Sequence, residues 1–182
     1  MNGDEKTLAQ KCAHGSDLAR KELYVLYAPR LYSLCCRYAD DREQAQDWMH
    51  DSFIKAYDKI GRFEYRGDGS LYSWLARLTI SLCIDEIRKK KKVHFIDLED
   101  DITQDDPPAE RVKDIPPEKV RELIQKLPPT QRTIFNLYHI DGVPHKEIAR
   151  LLGITERAST SLLSKARNRL AGSINSYLKD NE

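Results

Sequence analysis

The segment HKEIARLLGITE, residues 145–156, decides the fold. Its apolar residues fall at helical spacing, which predicts a short helix over His145 to Leu152. Gly153 stands where a tight turn between two helices needs a positive φ, and Thr155 is placed to cap a second helix. The spacing of Ala149 and Gly153 is typical of a helix-turn-helix, because a small residue lets the two helices approach closely.

The second helix of this motif, which begins at Glu156, has an apolar face and a polar face. Its inward residues at helical spacing are Leu163, Ala166 and Leu170. Its outward residues are short polar or cationic ones, namely Arg157, Thr160, Ser161, Ser164 and Lys165. Such side chains suit the major groove of DNA, so this face is predicted to read a duplex. An ordinary helical hairpin with a solvated face is the alternative that spacing leaves open.

The first half of the chain has the pattern of three further helices. Ser16 is a plausible N-cap for the first, and Pro29 is expected to kink or divide it. An aspartate of the pair at residues 40–41 is expected to cap the second helix, which Gly61 is expected to end. Ser70 is predicted to cap the third. The sequence therefore favours an all-α fold.

The loop between the second and third helices, residues 61–70, carries two aromatic residues and two arginines among three glycines. Unpaired bases stack on aromatic side chains, at roughly 1–3 kcal/mol per base, while arginine neutralises phosphate. A pocket for an extruded base needs this chemistry. The alternative is an ordinary loop whose aromatic rings pack on the core.

Charge divides the chain into three blocks. Residues 1–92 carry a net charge of +3, residues 93–115 carry −6 and residues 116–182 carry +4. The acidic block also contains prolines and little that could form a core, so residues 93–116 are predicted to be a flexible acidic linker. Two small helical modules, residues 1–92 and 117–182, are then expected to contact nucleic acid at both ends of the chain.

Several functional classes find no support in the sequence. The most apolar stretch, Leu71 to Ile87, contains charged residues, and the first residues lack the pattern of a secretory signal, so a cytoplasmic protein without membrane insertion is expected. The four cysteines are predicted to be core thiols, and no metal, cofactor or catalytic residue is expected. The acidic pairs Asp100-Asp101 and Asp105-Asp106 leave Mg²⁺-dependent phosphoryl chemistry as a weak alternative, because the linker offers them no rigid shell.

The order of motifs resembles the extracytoplasmic-function (ECF) sigma factors of bacterial RNA polymerase. In the first module the resemblance rests on AQDWMHDSFIKAY at residues 45–57, on Trp74-Leu75 and on Asp85-x-x-Arg88 with its basic tail. In the second it rests on Leu127-Pro128-x3-Arg132, Asp141-Gly142, Glu147-Ile148-Ala149, Leu152-Gly153-Ile154 and Lys165-Ala166-Arg167. The resemblance covers roughly residues 20–92 and 117–172.

The resemblance implies a role for each of three surfaces. The residues that would dock on core RNA polymerase are Asp47, His50, Asp51 and Lys55. Those that would bind the −10 element of promoter DNA as it opens are Phe63, Tyr65, Arg66, Trp74, Arg77, Ser81 and Arg88. The polar face already described, Arg157, Thr160, Ser161, Ser164 and Lys165, would read the −35 element. Such factors are commonly held by an anti-sigma factor.

The chain departs from the family pattern at several positions. His50 replaces the usual Gln, Ser81 the usual Asn and Pro144 the usual N-cap serine, while Ser159 stands where a β-branched residue is usual and is expected to thin the core. The main rival interpretation is an autonomous regulator that binds a palindromic operator as a dimer through one helix-turn-helix. Such a regulator binds duplex DNA alone, whereas a sigma factor needs core polymerase.

Overall fold

The computed structural model describes residues 4–90, 113 and 115–180, and within these ranges the regular structure is helical, without a β-strand. The described residues belong to two compact units, one within residues 1–92 and the other within residues 93–182. The predicted all-α fold with two helical modules is confirmed.

The first unit is a helical bundle. Its helices are α1 (Asp4–Ala13), α2 (Asp17–Tyr38), α3 (Arg42–Lys59) and α4 (Ser70–Lys90). Helices α2, α3 and α4 pack against one another, and α1 packs on α2. Leu23, Leu31 and Leu71 lie in the core with no exposed surface. Burial of these apolar faces is the main force that holds the bundle together.

Two of the predicted caps are confirmed in this unit. The Ser16 hydroxyl accepts a hydrogen bond from the Ala19 N–H at 3.3 Å, and the Asp41 carboxylate accepts one from the Gln44 N–H at 2.8 Å. Pro29 was expected to kink or divide the first helix, and it does not divide it, because α2 is one continuous helix around it. Pro29 lies on the exposed face of α2, where water can reach the Val25 carbonyl that loses its helical partner.

The prediction that Gly61 ends α3 is also wrong. Helix α3 stops at Lys59 and tightens into a 3₁₀ turn, Ile60–Arg62, so Gly61 lies inside this turn. The Phe63 N–H bonds to the Ile60 carbonyl at 3.0 Å, and Ile60 is buried. Burial of Ile60 extends the helical path by one turn, which removes the need for a left-handed glycine at this position.

The second unit contains the helix-turn-helix. Its elements are α5 (Pro117–Gln125), α6 (Pro129–Phe135), a π-helical turn (Asn136–Ile140), α7 (His145–Leu152) and α8 (Glu156–Lys179). Helices α5 and α6 both begin with proline, whose fixed φ suits the first helical position. Its apolar core includes Leu123, Leu127, Ala166, Leu170 and Ile174.

Ile115 belongs to this core although it lies within the predicted linker. Its side chain is only 6 % exposed and packs in the cluster formed by α5 and α8. The packed part of the second unit therefore includes residues before 117. Most of the predicted acidic linker, including the pairs Asp100-Asp101 and Asp105-Asp106, lies outside the described residues.

The cysteines lie where core thiols were predicted, with one difference. Cys12, Cys35 and Cys83 are buried, and Cys36 is half-buried. A hydrogen bond with Cys35, together with burial, raises the pKa of the Cys83 thiol. Among the helices that the structure describes, none is long and apolar enough to cross a membrane.

Candidate nucleic-acid interface

The loop before α4 combines aromatic and cationic side chains around an open groove. Phe63 and Trp74 meet edge to face with ring centroids 5.7 Å apart, and both are half-buried. The groove has a volume of about 670 Å³. Its lining residues are Arg62, Phe63, Glu64, Arg66, Asp68, Gly69, Ser70, Ser73, Trp74 and Arg77. Three arginines and two carboxylates line this groove, and the resulting net positive charge suits an anionic strand.

Within the loop, the polar side chains bond to one another. The Tyr65 hydroxyl donates to the Asp68 carboxylate at 2.9 Å, and this bond raises the pKa of Tyr65. Arg66 pairs with Glu64 at 2.9 Å, and both side chains are largely exposed. An exposed pair of this kind contributes little stability, so the guanidinium can exchange Glu64 for a phosphate at small cost. The Phe63 and Tyr65 rings lie half-buried at the loop surface.

The start of α4 is capped by a residue that sequence reasoning missed. The carboxylate of Glu5, on α1, accepts hydrogen bonds from the Gly69 N–H at 3.2 Å and the Leu71 N–H at 3.1 Å. The prediction that Ser70 caps this helix is wrong, because its hydroxyl instead accepts from the Arg66 N–H at 3.3 Å. No sequence signal near residue 70 points to Glu5, because the cap crosses more than sixty residues of chain.

The remaining −10 candidates share one face of α4. Trp74, Arg77, Ser81 and Arg88 follow at steps of three, four and seven, which keeps them on one side of a helix over about 21 Å. Arg77, Ser81 and Arg88 are exposed, whereas Trp74 is half-buried against Phe63. Trp74 and Arg77 also line the loop groove, so the groove borders the face of α4 that carries Ser81 and Arg88.

The candidate polymerase-docking residues lie on the outer face of α3. Asp47, His50 and Asp51 are exposed, and Lys55 is partly exposed, with its Nζ 3.9 Å from the Asp85 carboxylate of α4. Sequence reasoning missed Ile54, which is 60 % exposed on the same face. Its signal was an apolar residue at i+3 from Asp51, on the polar side of an otherwise amphipathic helix.

The helix-turn-helix has the predicted local geometry. Gly153 adopts the left-handed conformation, with φ +68°, and the Ile154 N–H bonds to the Ala149 carbonyl at 3.1 Å. The Thr155 hydroxyl accepts from the Ala158 N–H at 3.1 Å and caps α8. Ile148 is fully buried between the helices. The predicted glycine turn and threonine cap are both confirmed.

The predicted −35 residues form the outer face of α8. Arg157, Thr160, Ser161 and Ser164 are exposed, and Lys165 is half-buried at the edge of this face. The Thr160 hydroxyl donates to the Glu156 carbonyl at 3.1 Å. Lys165 also lines a second groove, of about 440 Å³, together with Lys126 and Arg169. This cationic side of α8 continues the polar face toward α5.

Ser159 contributes more than a gap in the core. It is fully buried, and its hydroxyl lies 2.8 Å from Nδ1 of His145, so the two residues join α7 to α8. The ring of Tyr138 stacks on His145 with centroids 4.6 Å apart. The smaller side chain that was expected to thin the core thus makes a polar contact in the place of an apolar one.

Comparison with known proteins identifies the family. The family model for Sigma-70 region 2 matches residues 23–93, and the model for Sigma-70 region 4 matches residues 118–170. The chain therefore belongs to the sigma-70 family of transcription initiation factors, and within it to the ECF sigma factors that direct RNA polymerase to promoters.

Individual relatives extend over most of the chain. The chain is 29 % identical to the ECF RNA polymerase sigma factor SigM of Mycobacterium tuberculosis, over 92 % of this chain and 83 % of that protein. It is 29 % identical to the ECF RNA polymerase sigma factor SigW of Bacillus subtilis, over 86 % and 89 %. The solved structure of CnrH in complex with the cytosolic domain of CnrY is similar in fold, with a TM-score of 0.50 at 20 % identity, covering 94 % of this chain and 97 % of that one.

Proposed function

We propose that the two units divide promoter recognition, with the first module (residues 1–92) opening the −10 element and the second (residues 117–182) reading the −35 element. The observation that carries this proposal is the groove beside Trp74, which offers an aromatic edge, three arginines and room for a base. Stacking and phosphate neutralisation are the two interactions that hold an unpaired strand. The chain itself then needs no catalytic chemistry.

In the −10 assignment, the loop captures a base and α4 follows the strand. Phe63, Tyr65 and Trp74 supply aromatic surface. The cations are Arg66, Arg77 and Arg88, spread along the loop and one face of α4. Ser81 lies between them and offers a single hydroxyl to a base or to the backbone.

In the −35 assignment, α8 enters the major groove of the duplex. Arg157 and Lys165 contact phosphate or base edges, while the hydroxyls of Thr160, Ser161 and Ser164 approach the bases. The capped N-terminus of α8 adds a partial positive charge that favours the DNA backbone. Three of the five residues on this face carry hydroxyls and two are cations, so hydroxyl contacts carry much of the sequence preference.

The outer face of α3 is proposed to dock on core polymerase through Asp47, His50, Asp51 and Lys55. Asp51→Lys reverses the charge at the centre of this exposed face, and we expect it to abolish co-purification with core polymerase. Glu22→Lys, an equal change at an exposed position of α2, is the matched control and retains binding. Core binding by the Asp51 variant at the wild-type level would show that polymerase docks elsewhere.

Regulation by an anti-sigma factor in the cytoplasm completes the proposal. The relative CnrH forms a complex with the cytosolic domain of CnrY, and we extend this mode of control to the present chain. Run-off transcription with core polymerase and a genomic promoter library tests the function as a whole. Promoter-dependent transcripts are expected only with core polymerase and chain together. Tight binding of a palindromic duplex by the chain without polymerase would instead favour a dimeric regulator.

A further inference from the structure

We infer that Glu5 is a positioning residue for strand opening, which it serves by fixing the loop proposed to capture the −10 base. This inference rests on the proposed role of residues 61–70. Glu5 lies on α1, far from the loop in sequence, and its carboxylate contacts both sides of the first residue of α4.

Three hydrogen bonds hold the carboxylate. One oxygen, Oε1, accepts from the Tyr27 hydroxyl at 3.1 Å and from the Gly69 N–H at 3.2 Å, while Oε2 accepts from the Leu71 N–H at 3.1 Å. Amide groups in the first turn of a helix have no partner within that helix, and a negative charge there is favoured by the helix dipole. Glu5 therefore accepts hydrogen bonds both from the last glycine of the loop and from an otherwise unpaired amide at the beginning of α4.

The local sequence does not replace this cap. The hydroxyl of Ser70 is engaged by the Arg66 N–H, inside the loop. Gly69 has a φ of +80° and Gly67 a φ of +113°, conformations that few other residues adopt easily. A loop with two such glycines has many accessible conformations when free, so an external anchor at its end adds to the bonds within the loop in selecting one of them.

Helix α1 also supports the other end of the loop. It packs against the 3₁₀ turn Ile60–Arg62, from which the loop departs, and against α4, at which the loop ends. Leu8 and Cys12 are buried and fix α1 to the bundle. Both ends of the loop thus depend on one short helix, which precedes the residues matched by the Sigma-70 region 2 model.

An aromatic cluster makes this support rigid. Tyr27 is buried and donates to Glu5, and burial together with the Glu5 charge raises the pKa of Tyr27 to about 12, so it remains a donor at neutral pH. The Tyr27 ring stacks near that of Tyr72, at 6.4 Å, and the Arg30 guanidinium lies 3.5 Å from the Tyr72 ring centroid. The carboxylate therefore joins α1, α2 and α4 at the base of the loop.

The decisive variant is Glu5→Gln, tested in holoenzyme assembled from full chain and core polymerase. It keeps the size of the side chain and one carbonyl acceptor but removes the charge that strengthens these bonds. When the closed complex is saturated, we expect the rate of promoter opening, measured by permanganate reactivity, to fall about ten-fold. Core binding and closed-complex affinity should remain at the wild-type level. Glu22→Gln, which removes the same charge from an exposed site, is the matched control.

Tyr27→Phe and Tyr65→Ala separate the possible outcomes. Tyr27→Phe removes one of the three donors and should slow the same step by a smaller factor, which would support the inference. If Tyr65→Ala slows opening and Glu5→Gln does not, the inference is overturned and the loop assignment stands. If neither variant slows opening, the loop assignment itself fails. If Glu5→Gln weakens core binding, closed complex and opening in equal proportion, Glu5 is merely structural, which also overturns the inference.

Discussion

The two candidate DNA surfaces of this protein are supported in opposite ways. The loop at residues 61–70 is held from a distance, by a carboxylate on α1. The proposed recognition helix α8 is held by residues closer along the chain. Its cap, Thr155, lies three residues from the amide it binds, and Ser159 bonds to His145 fourteen residues away. Distant support lets the loop be loosened without unfolding its unit, whereas local support makes the second surface part of its own fold.

This difference suits the two tasks. Reading a duplex requires a preformed face, since the major groove is itself preformed. Capturing a base from an opening duplex requires a surface whose conformation can be selected, since the base must leave its stack first. The loop is therefore expected to respond in opening kinetics, and α8 in stability and equilibrium binding.

The largest effect is expected from Tyr65→Ala. Loss of the ring should raise the free-energy barrier to promoter opening by the lost stacking, roughly 1–3 kcal/mol, while closed-complex formation is unchanged. Tyr65→Phe keeps the ring and loses the hydroxyl that bonds to Asp68, so it should open promoters almost as well as wild type. Permanganate reactivity across the −10 region measures both. Equal reactivity in the alanine variant and wild type would show that the Tyr65 ring takes no part in strand opening.

Ser159→Ala tests the local support of α8. Removing the buried hydroxyl leaves His145 without this partner, and we expect a loss of about 1–2 kcal/mol in the free energy of unfolding of the second unit. Hydrogen exchange at buried amides of α7 measures the change. Ser161→Ala, an exposed change on the same helix, should stay within about 0.5 kcal/mol of wild type. Equal protection in both variants would show that the serine contact adds no support.

Arg157→Ala and Lys165→Ala test the binding face of α8. Each should weaken promoter binding and reduce the slope of log affinity against log salt by about one phosphate contact. The loop and the opening rate of bound complexes should be unaffected, because the −35 assignment has α8 bind before the strands separate. Footprinting over the −35 region at several salt concentrations measures the effect. An unchanged footprint and slope would reject the −35 assignment of these cations.

The smallest effect is expected from pH. Partial desolvation of His139, against Phe135 and Tyr138, and the charge of Arg167 lower the pKa of His139 below its usual 6.5. The unfolded chain then binds a proton more readily than the folded one. The free energy of unfolding is therefore at its full value above pH 6.5 and decreases as the pH falls through the folded pKa of His139. His139→Gln should flatten that decline in the second unit. Hydrogen exchange of α7 between pH 7 and pH 5 would detect it, and an identical decline in both proteins would contradict the assignment.

The same contrast decides what could be predicted from the sequence. The turn at Gly153 and the caps at Ser16, Asp41 and Thr155 each depend on residues within a few positions, so local patterns identified them. Helical periodicity likewise identified the buried faces that build each unit. The candidate surfaces could be assigned for the same reason, because their residues repeat along single helices or lie in one short loop.

What sequence reasoning missed depends on tertiary contacts. The cap of α4 comes from Glu5 rather than Ser70, and the serine expected to weaken the core at 159 instead bonds to His145. Gly61 does not end α3 because burial of Ile60 carries the chain through another turn. Each error arose where a contact outside the residue's own helical turn overrides a local preference.

The rate at which the buried cysteines of the first unit react can report how often this unit opens. A thiol must ionise and meet its reagent in order to react. In the closed bundle the raised pKa of Cys83 disfavours ionisation, and the full burial of this thiol keeps reagents away. Cys36, which is half-buried, should be alkylated quickly. Cys35 and Cys83 should react only as fast as α2 and α4 separate, and Cys12 only as fast as α1 leaves α2. Counting modified thiols over time would then measure how often the bundle opens, with no probe residue introduced into the chain.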